Sequence, residues 1–177
     1  DPLSSHISNV NGFLNILIAA KEVGIKRIVY ASSSSVYGDN PVLPKVENET
    51  GNVLSPYAAT KAIDEIYGNV FTKCYGMECI GLRYFNIFGP RQDPNGAYAA
   101  VIPKFIQLMK NNQRPQINGD GTYSRDFTFV SNAVQANILA MLTNNVETFG
   151  QAFNIGCGGQ YSLNELVNSI NKGLETN

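Results

Sequence analysis

Tyr57 and Lys61 stand four positions apart in "SPYAATK", residues 55–61. Ser55 suits a helix N-cap and Pro56 a first helical residue. Tyr57 then falls in the first turn, where the helix dipole is positive. At about 100° per residue the two side chains share a face. A free tyrosine ionises near pH 10, and a neighbouring ammonium and a helix N-terminus both favour the tyrosinate. Such a pair can act as a general base near neutral pH. Alone, the Y-x-x-x-K spacing is weak, because an exposed tyrosine beside a surface lysine is the commoner arrangement. A second stretch, "YASSSSVYG" at 30–38, puts Ser32–Ser35 just past the carboxyl end of a predicted strand. Open α/β sheets hold their ligands at that end. A serine hydroxyl there can hydrogen-bond a substrate hydroxyl while Tyr57 takes its proton. The ordinary alternative is a serine-rich turn.

The surrounding elements follow from period and punctuation. Residues 4–23 carry Ile7, Val10, Leu14, Leu17 and Ile18 at helical spacing, ended by Val23-Gly24. "KRIVYAS" at 26–32 predicts a buried strand, and 38–54 a loop rich in Gly, Pro and Asn. The clearest helix spans 56–75. Its expected packing stripe is Ile63, Ile66, Tyr67, Val70, Phe71 and Cys74, and Gly76 stops it. That stripe lies more than about 100° from the Tyr57–Lys61 face, so the helix is expected to pack by one side and present the pair on another. "ECIGLRYFNIFG" predicts a strand, broken by "GPRQDPNG". A helix is expected from about Ala99 to Lys110, with Pro103 in its first turn. "QINGDGT" reads as a strand and turn, "SNAVQANILAMLTNN" as a helix and "AFNIG" as a strand. The last helix opens with a capping box, Ser162 and Glu165, and carries Leu163, Leu166, Val167 and Ile170 on one stripe. Strands and helices alternate and the strands are apolar throughout, which predicts an α/β fold with a parallel sheet.

Composition sets bounds. The 177 residues are 44% hydrophobic and 15% charged, with a formal net charge of −1. This is globular composition. There is no basic stripe, so nucleic acid is not an expected partner. No apolar run reaches the roughly 18 residues of a membrane span, so no membrane partner is expected; three scattered cysteines suit reduced thiols, so a cytoplasmic placement is expected. Cys74, Cys79 and Cys157 have no metal-ligand spacing, and no metal site is expected. The single histidine, His6, makes a Ser-His-Asp triad improbable.

Taken together, "SSSSVYG", "SPYAATK", "LRYFNIFGPRQ" and "GDGTYSRDF" resemble the extended short-chain dehydrogenase/reductase family, the NAD-dependent epimerases and dehydratases. The resemblance covers essentially the whole chain. It is closest to UDP-N-acetylglucosamine 4-epimerases, through "RQDPNGAYAAVIPKF". It implies a fold class of α/β, part of a Rossmann-like doubly wound parallel sheet plus part of a small C-terminal substrate domain. Residues 1–90 would belong to the dinucleotide-binding domain and 91–177 to the substrate-binding portion, with Rossmann elements interleaved at 126–156. Ser33 and Tyr57 would be catalytic, and Lys61 would hold the nicotinamide ribose and activate Tyr57. Tyr84 and Phe85 would line the NAD pocket. Ser34 would sit near the hexose and Asn86 near the diphosphate. Ala100, Val101 and Lys104 would lie near the uridine, with Asn118 and Arg125 completing the nucleotide site. A guanidinium suits a diphosphate; its ordinary alternative is a surface arginine paired with Asp126. The implied reaction is C4 epimerisation of a UDP-hexose through a 4-keto sugar with NAD, in a homodimer formed through the helix carrying Tyr57 and the one before it.

The chain departs from the family pattern in one respect. No G-x-G-x-x-G or G-x-x-G-x-x-G stands between a strand and a helix. "GCGGQ" at 156–160 lacks the spacing and follows the last predicted strand. The chain is therefore expected to begin inside the family's nucleotide-binding domain and to stop short of its C-terminal tail. Three rivals stand beside the epimerase reading. A 4,6-dehydratase would need acidic residues where Ser34 and Ser35 stand. A UDP-glucuronate 4-epimerase shares "SSSSVYG" but differs around "RQDPNG". An inactive nucleotide-sugar-binding fragment would bind no cofactor.

Overall fold

The computed structural model describes residues 1–96 and 100–174. These divide into two compact units, one of residues 1–85 and 133–155, the other of residues 86–132 and 156–174 among those described.

The first unit begins with a helix in three parts: α1 (Pro2–His6), a π-helical turn (Ile7–Asn11) and α2 (Gly12–Glu22). The apolar period reads the helix but not the π turn, which shifts register by one residue. Three strands form a parallel sheet in the order β1 (Arg27–Ser33), β2 (Glu78–Tyr84) and β6 (Gln151–Ile155). The central strand, β2, is buried along most of its length, as a strand covered on both faces must be. Side-chain alternation on β2 separates the two faces. Cys79 joins a core with Tyr30, Leu17, Ala20, Phe71 and Met77, on the side of α2 and of α3 (Pro56–Tyr75). Ile80 and Leu82 form the other core with Ala140, on the side of α5 (Val130–Leu142). A parallel sheet with helices on both faces is the doubly wound α/β arrangement.

Helix α3 has the expected limits. Ser55 Oγ accepts from the Ala58 amide at 3.1 Å, Pro56 is the first helical residue, and Gly76 closes the helix at φ 66°. Its packing side differs from the sequence expectation. Ala58, Thr60, Asp64, Gly68 and Phe71 are buried, whereas Ile66 is 62% exposed and Val70 40%. The helix therefore turns towards the sheet with the side that carries Lys61 and Asp64; of the expected stripe, Phe71 and Tyr67 reach the core, while Ile66, Val70 and Cys74 do not. The reason is closeness of approach. A Cβ on Gly68 would sit 2.6 Å from the Tyr30 hydroxyl, and one on Gly81 of β2 would sit 2.8 Å from it. Small residues win this face because a buried tyrosine occupies the space between helix and strand. Gly68→Ala is expected to destabilise the fold by about 1–3 kcal/mol, the usual range for overpacking. Urea denaturation measures this.

In the second unit α4 (Val101–Lys110) packs on α6 (Leu163–Leu174) through Phe105, Met109 and Ile170. The capping box is formed: Ser162 Oγ accepts from the Glu165 amide at 3.1 Å, and Glu165 Oε2 accepts from the Ser162 amide at 2.8 Å. Two short ladders complete the unit, β3 (Ile87–Phe88) parallel with β5 (Thr128–Phe129), and β4 (Ser124–Arg125) antiparallel with β7 (Tyr161–Ser162). The expected strand at "QIN" is absent among the described residues; the extended pairing begins at Ser124 instead. The long expected strand "ECIGLRYFNIFG" is two strands. Asn86, between them, has φ 36°, a left-handed conformation that interrupts a ladder. Ala99, the expected start of α4, lies outside the described residues.

Candidate active site

Strand β1 runs into a single 3₁₀ turn, Ser34–Tyr37, and the four serines divide there by direction. Ser32 is buried and donates to Glu65 Oε1 at 2.5 Å. Ser33 caps the turn. Its Oγ accepts from the Ser35 amide at 3.2 Å and from Ser35 Oγ at 3.0 Å. An oxygen that already accepts twice has its own proton to give, so Ser33 is set up as a donor. Ser35 holds it in that role, a part the sequence reading left out.

Tyr57 stands in the first turn of α3, 45% exposed, and among the described residues nothing bonds its hydroxyl. Its backbone is fixed from behind. Thr60 Oγ1 donates to the Tyr57 carbonyl at 2.8 Å and accepts from Asn9 Nδ2 at 2.9 Å. Asn9 lies in the π turn, so the N-terminal helix anchors the first turn of α3. Lys61 Nζ donates to the Ala31 carbonyl of β1 at 3.0 Å and to Asp64 Oδ2 at 3.2 Å. Helix α3 packs on both β1 and the serine turn. Ser33, Tyr57 and Lys61 thus stand on adjoining elements of one unit.

Beneath the serine turn lies a closed polar network. Arg83 points from β2 towards α3 and pairs with Glu65 through two hydrogen bonds of 2.8 Å. Arg83 Nη1 also donates to Tyr37 Oη and to the Glu47 carbonyl, both at 2.9 Å. The Tyr37 hydroxyl in turn donates to Asn154 Oδ1 at 2.7 Å. Burial works against the Arg83 charge, but the bonds and charge of Glu65 outweigh it and hold the guanidinium above its usual value.

Tyr84 ends β2 and Phe85 follows it. Tyr84 packs with the Ile80–Leu82 core, its hydroxyl accepting from Asn137 Nδ2 at 2.7 Å. Phe85 lies 6.1 Å from the Tyr37 ring.

The second unit contains a cavity of about 310 Å³ lined by Asn86, Ala100, Val101 and Arg125, with Tyr123, Phe127 and Leu163 among the remaining wall residues. Four of the expected substrate residues therefore meet there. Lys104, exposed on α4, and Asn118, exposed in the loop that follows α4, are not among its walls. Arg125 forms no ion pair with Asp126. Asp126 instead accepts from the Cys157 and Gly158 amides at 3.2 and 2.9 Å. Among the described residues Arg125 has one protein bond, to the Ser124 carbonyl, which leaves most of its donors. Tyr123 and Phe127 were legible in principle: Tyr123, Arg125 and Phe127 alternate as one face of an extended segment does. A mostly apolar wall with aromatic rings and one guanidinium suits an anionic aromatic ligand.

Residues 1–156 match the model of the NAD dependent epimerase/dehydratase family. The chain belongs to this family. It is 43% identical over 163 residues to a putative UDP-glucose 4-epimerase of Methanocaldococcus jannaschii, a match covering 92% of this chain and 52% of the relative. Among solved structures it superposes on a UDP-N-acetylglucosamine 4-epimerase of Methanobrevibacter ruminantium, in complex with UDP-N-acetylmuramic acid, with a TM-score of 0.94 and 42% identity. That match covers 100% of this chain and 56% of the other. A UDP-glucuronic acid 4-epimerase of Bacillus cereus, in complex with UDP-glucuronic acid and NAD, gives a TM-score of 0.86 at 28% identity, over 97% of this chain and 53% of that one. The family member described here spans about half the length of the curated relatives it matches. Among its described residues no helix is long and apolar enough to cross a membrane.

Proposed function

We propose that the chain carries the catalytic and nucleotide-sugar-binding residues of a NAD-dependent UDP-hexose 4-epimerase, converting UDP-N-acetylglucosamine to UDP-N-acetylgalactosamine. The observation that carries this reading is Tyr57, whose hydroxyl is unbonded among the described residues, on a helix turn held by Thr60 and Asn9, with Lys61 one turn on bonded to the Ala31 carbonyl of β1. Tyr57 takes the proton of the sugar 4-hydroxyl and later returns it. Ser33 donates its free proton to the same oxygen and holds it near Tyr57. Lys61 keeps one N–H after bonding Ala31 and Asp64, and that donor fits a ribose hydroxyl of the cofactor. When bound, NAD supplies the hydride acceptance and return that make the carbon a ketone and then an alcohol again. Tyr57, Lys61, Tyr84 and Phe85 are the residues we assign to its nicotinamide end. A glycine-rich cradle for its diphosphate does not occur in this sequence.

In the second unit Arg125 and Asn86 are assigned to the substrate diphosphate, and Ala100 and Val101 to the uridine, with Lys104 and Asn118 at its margin. Ser34 is assigned to the hexose. The choice of the N-acetylated sugar is supported by "RQDPNGAYAAVIPKF" and by the likeness to the Methanobrevibacter UDP-N-acetylglucosamine 4-epimerase. A 4,6-dehydratase is disfavoured because Ser34 and Ser35 offer no carboxylic acid for water loss, and Ser35 is engaged with Ser33. The homodimer is assigned to the outward apolar side of α3, where Ile66 and Val70 are exposed.

Arg125→Ala is expected to weaken UDP binding about 10- to 100-fold, the worth of charge-assisted hydrogen bonds. Calorimetric titration with UDP measures it. An unchanged affinity removes the diphosphate from this cavity. Turnover of UDP-N-acetylglucosamine against UDP-glucose and UDP-glucuronate decides the sugar.

A further inference from the structure

Asp64 is the residue of α3 that its surroundings explain least. Its side chain is 3% exposed and that of Lys61 15%, so their 3.2 Å ion pair is withdrawn from water. Asp64 Oδ1 is buried and has no hydrogen-bond partner. Both features work against stability. A withdrawn pair loses hydration that its mutual attraction does not fully return, and an orphaned carboxylate oxygen adds to the loss. The charged groups that act on it are Lys61 and Glu65 on α3, with the neutral Tyr30 hydroxyl on β1 beside it; Glu65 is itself engaged by Arg83 of β2. None of them supplies Oδ1.

Lys61 has the opposite need. A four-carbon stem with an ammonium head samples many rotamers unless acceptors hold it. Two acceptors hold it here, the Ala31 carbonyl at 3.0 Å from the strand and Asp64 from within its own helix. The carbonyl alone fixes a distance. The carboxylate, one turn on, fixes the direction of approach and keeps the remaining N–H pointing away from both.

We propose that Asp64 is a positioning residue, which gives up stability to hold the Lys61 ammonium in the one orientation that leaves a donor for the cofactor ribose. The proposal rests on the epimerase reading for its ligand, though not for its geometry. Burial raises the Asp64 carboxyl above the usual range, and Lys61 only partly opposes this. With a raised folded-state value, the contribution of Asp64 to stability is fullest below the ordinary carboxylate range. It is lost as pH rises through the raised value.

The test is Asp64→Asn, an isosteric change that removes the charge, with Asp64→Ala as the companion that removes the acceptor. Two readouts are taken. The first is the rate at which Lys61 of this chain is acylated by a lysine-selective ester, followed by peptide mapping, beside the melting temperature. The second is turnover of UDP-N-acetylglucosamine by the complete protein that carries the chain. Asp64→Asn keeps a neutral amide oxygen beside the Lys61 ammonium, which lies nearer water than the Arg83 guanidinium, and is expected to melt close to the parent at neutral pH. It is also expected to expose Lys61 to acylation about tenfold faster and to lower kcat about tenfold, with KM for the UDP-sugar almost unchanged. Asp64→Ala shows a larger loss in the same direction. Activity and stability then move apart, which a structural role does not produce. Unchanged acylation of Lys61, or a fall in kcat that only tracks a fall in melting temperature, overturns the proposal. If the parent protein turns over no UDP-sugar, the epimerase reading fails, and the acylation rates still decide whether Asp64 holds Lys61.

Discussion

Tyr57→Phe is expected to lower kcat by about 10²- to 10⁴-fold, the range that positioned acid–base groups contribute, while leaving the fold intact. The two halves of that expectation have separate grounds. The ring of Tyr57 is 45% exposed and nothing among the described residues bonds its hydroxyl, so removing one oxygen takes no contact from the folded state. The helix turn beneath is held by Ser55, Thr60 and Asn9, none of which the change touches. The reaction, by contrast, loses the only group assigned to carry the proton of the 4-hydroxyl. Conversion of UDP-N-acetylglucosamine to its C4 epimer by the complete protein, with the melting temperature alongside, makes the comparison. The melting temperature should stay within about 2 °C, as for a surface substitution. UDP binding should also stay as it was, because the groups assigned to UDP stand in the other unit. Activity within tenfold of the parent would mean that another group takes the proton, and Ser33 would become the first candidate.

The helix that carries Tyr57 was legible because its signals are local. Ser55-Pro56 starts it and Gly76 ends it, and no distant residue is needed to see either. Its packing side was not legible, because that was decided by Tyr30, 38 residues before Gly68. Apolar period favours Ile66 and Val70 for the core; a tyrosine lying between helix and strand admits only glycine at position 68, and Ile66 and Val70 are left outward. The same limit applies to the serines. "SSSS" marks the end of a strand, yet the four differ only by which neighbours they meet. Period two sends Ser32 with Tyr30 towards α3, where Glu65 waits, and leaves Ser33 to cap the turn. Arg125 could be picked from its chemistry, but its cavity could not, since Leu163 comes from a helix far along the chain. Asp64 gave no sequence signal at all, because an acidic residue three positions after a lysine is usually a solvated pair.

Glu65→Ala is expected to destabilise the first unit by about 3–5 kcal/mol, the loss that follows when one member of a buried ion pair is removed and the other stays. The Arg83 side chain is 7% exposed and that of Glu65 16%, so water cannot easily replace the carboxylate. Arg83 would keep Tyr37 and the Glu47 carbonyl, both neutral acceptors, and would hold an uncompensated charge on the central strand. Ser32 would lose its acceptor as well, at the point where β1 enters the serine turn. Guanidinium denaturation of the single variant measures the loss. Glu65→Leu combined with Arg83→Met removes both charges and should regain most of it, because a withdrawn pair contributes little beyond an apolar pair of similar volume. The double variant then separates two properties that the single one confounds. Its stability returns, but Tyr37 has lost the guanidinium that fixed it and Ser32 has no carboxylate to meet. Turnover by the complete protein should therefore stay well below the parent even where the fold is restored. Full recovery of turnover in the double variant would show that the network serves stability alone and that Ser33 needs no support from beneath. A single-variant loss under about 1 kcal/mol would show that the pair reaches water in solution.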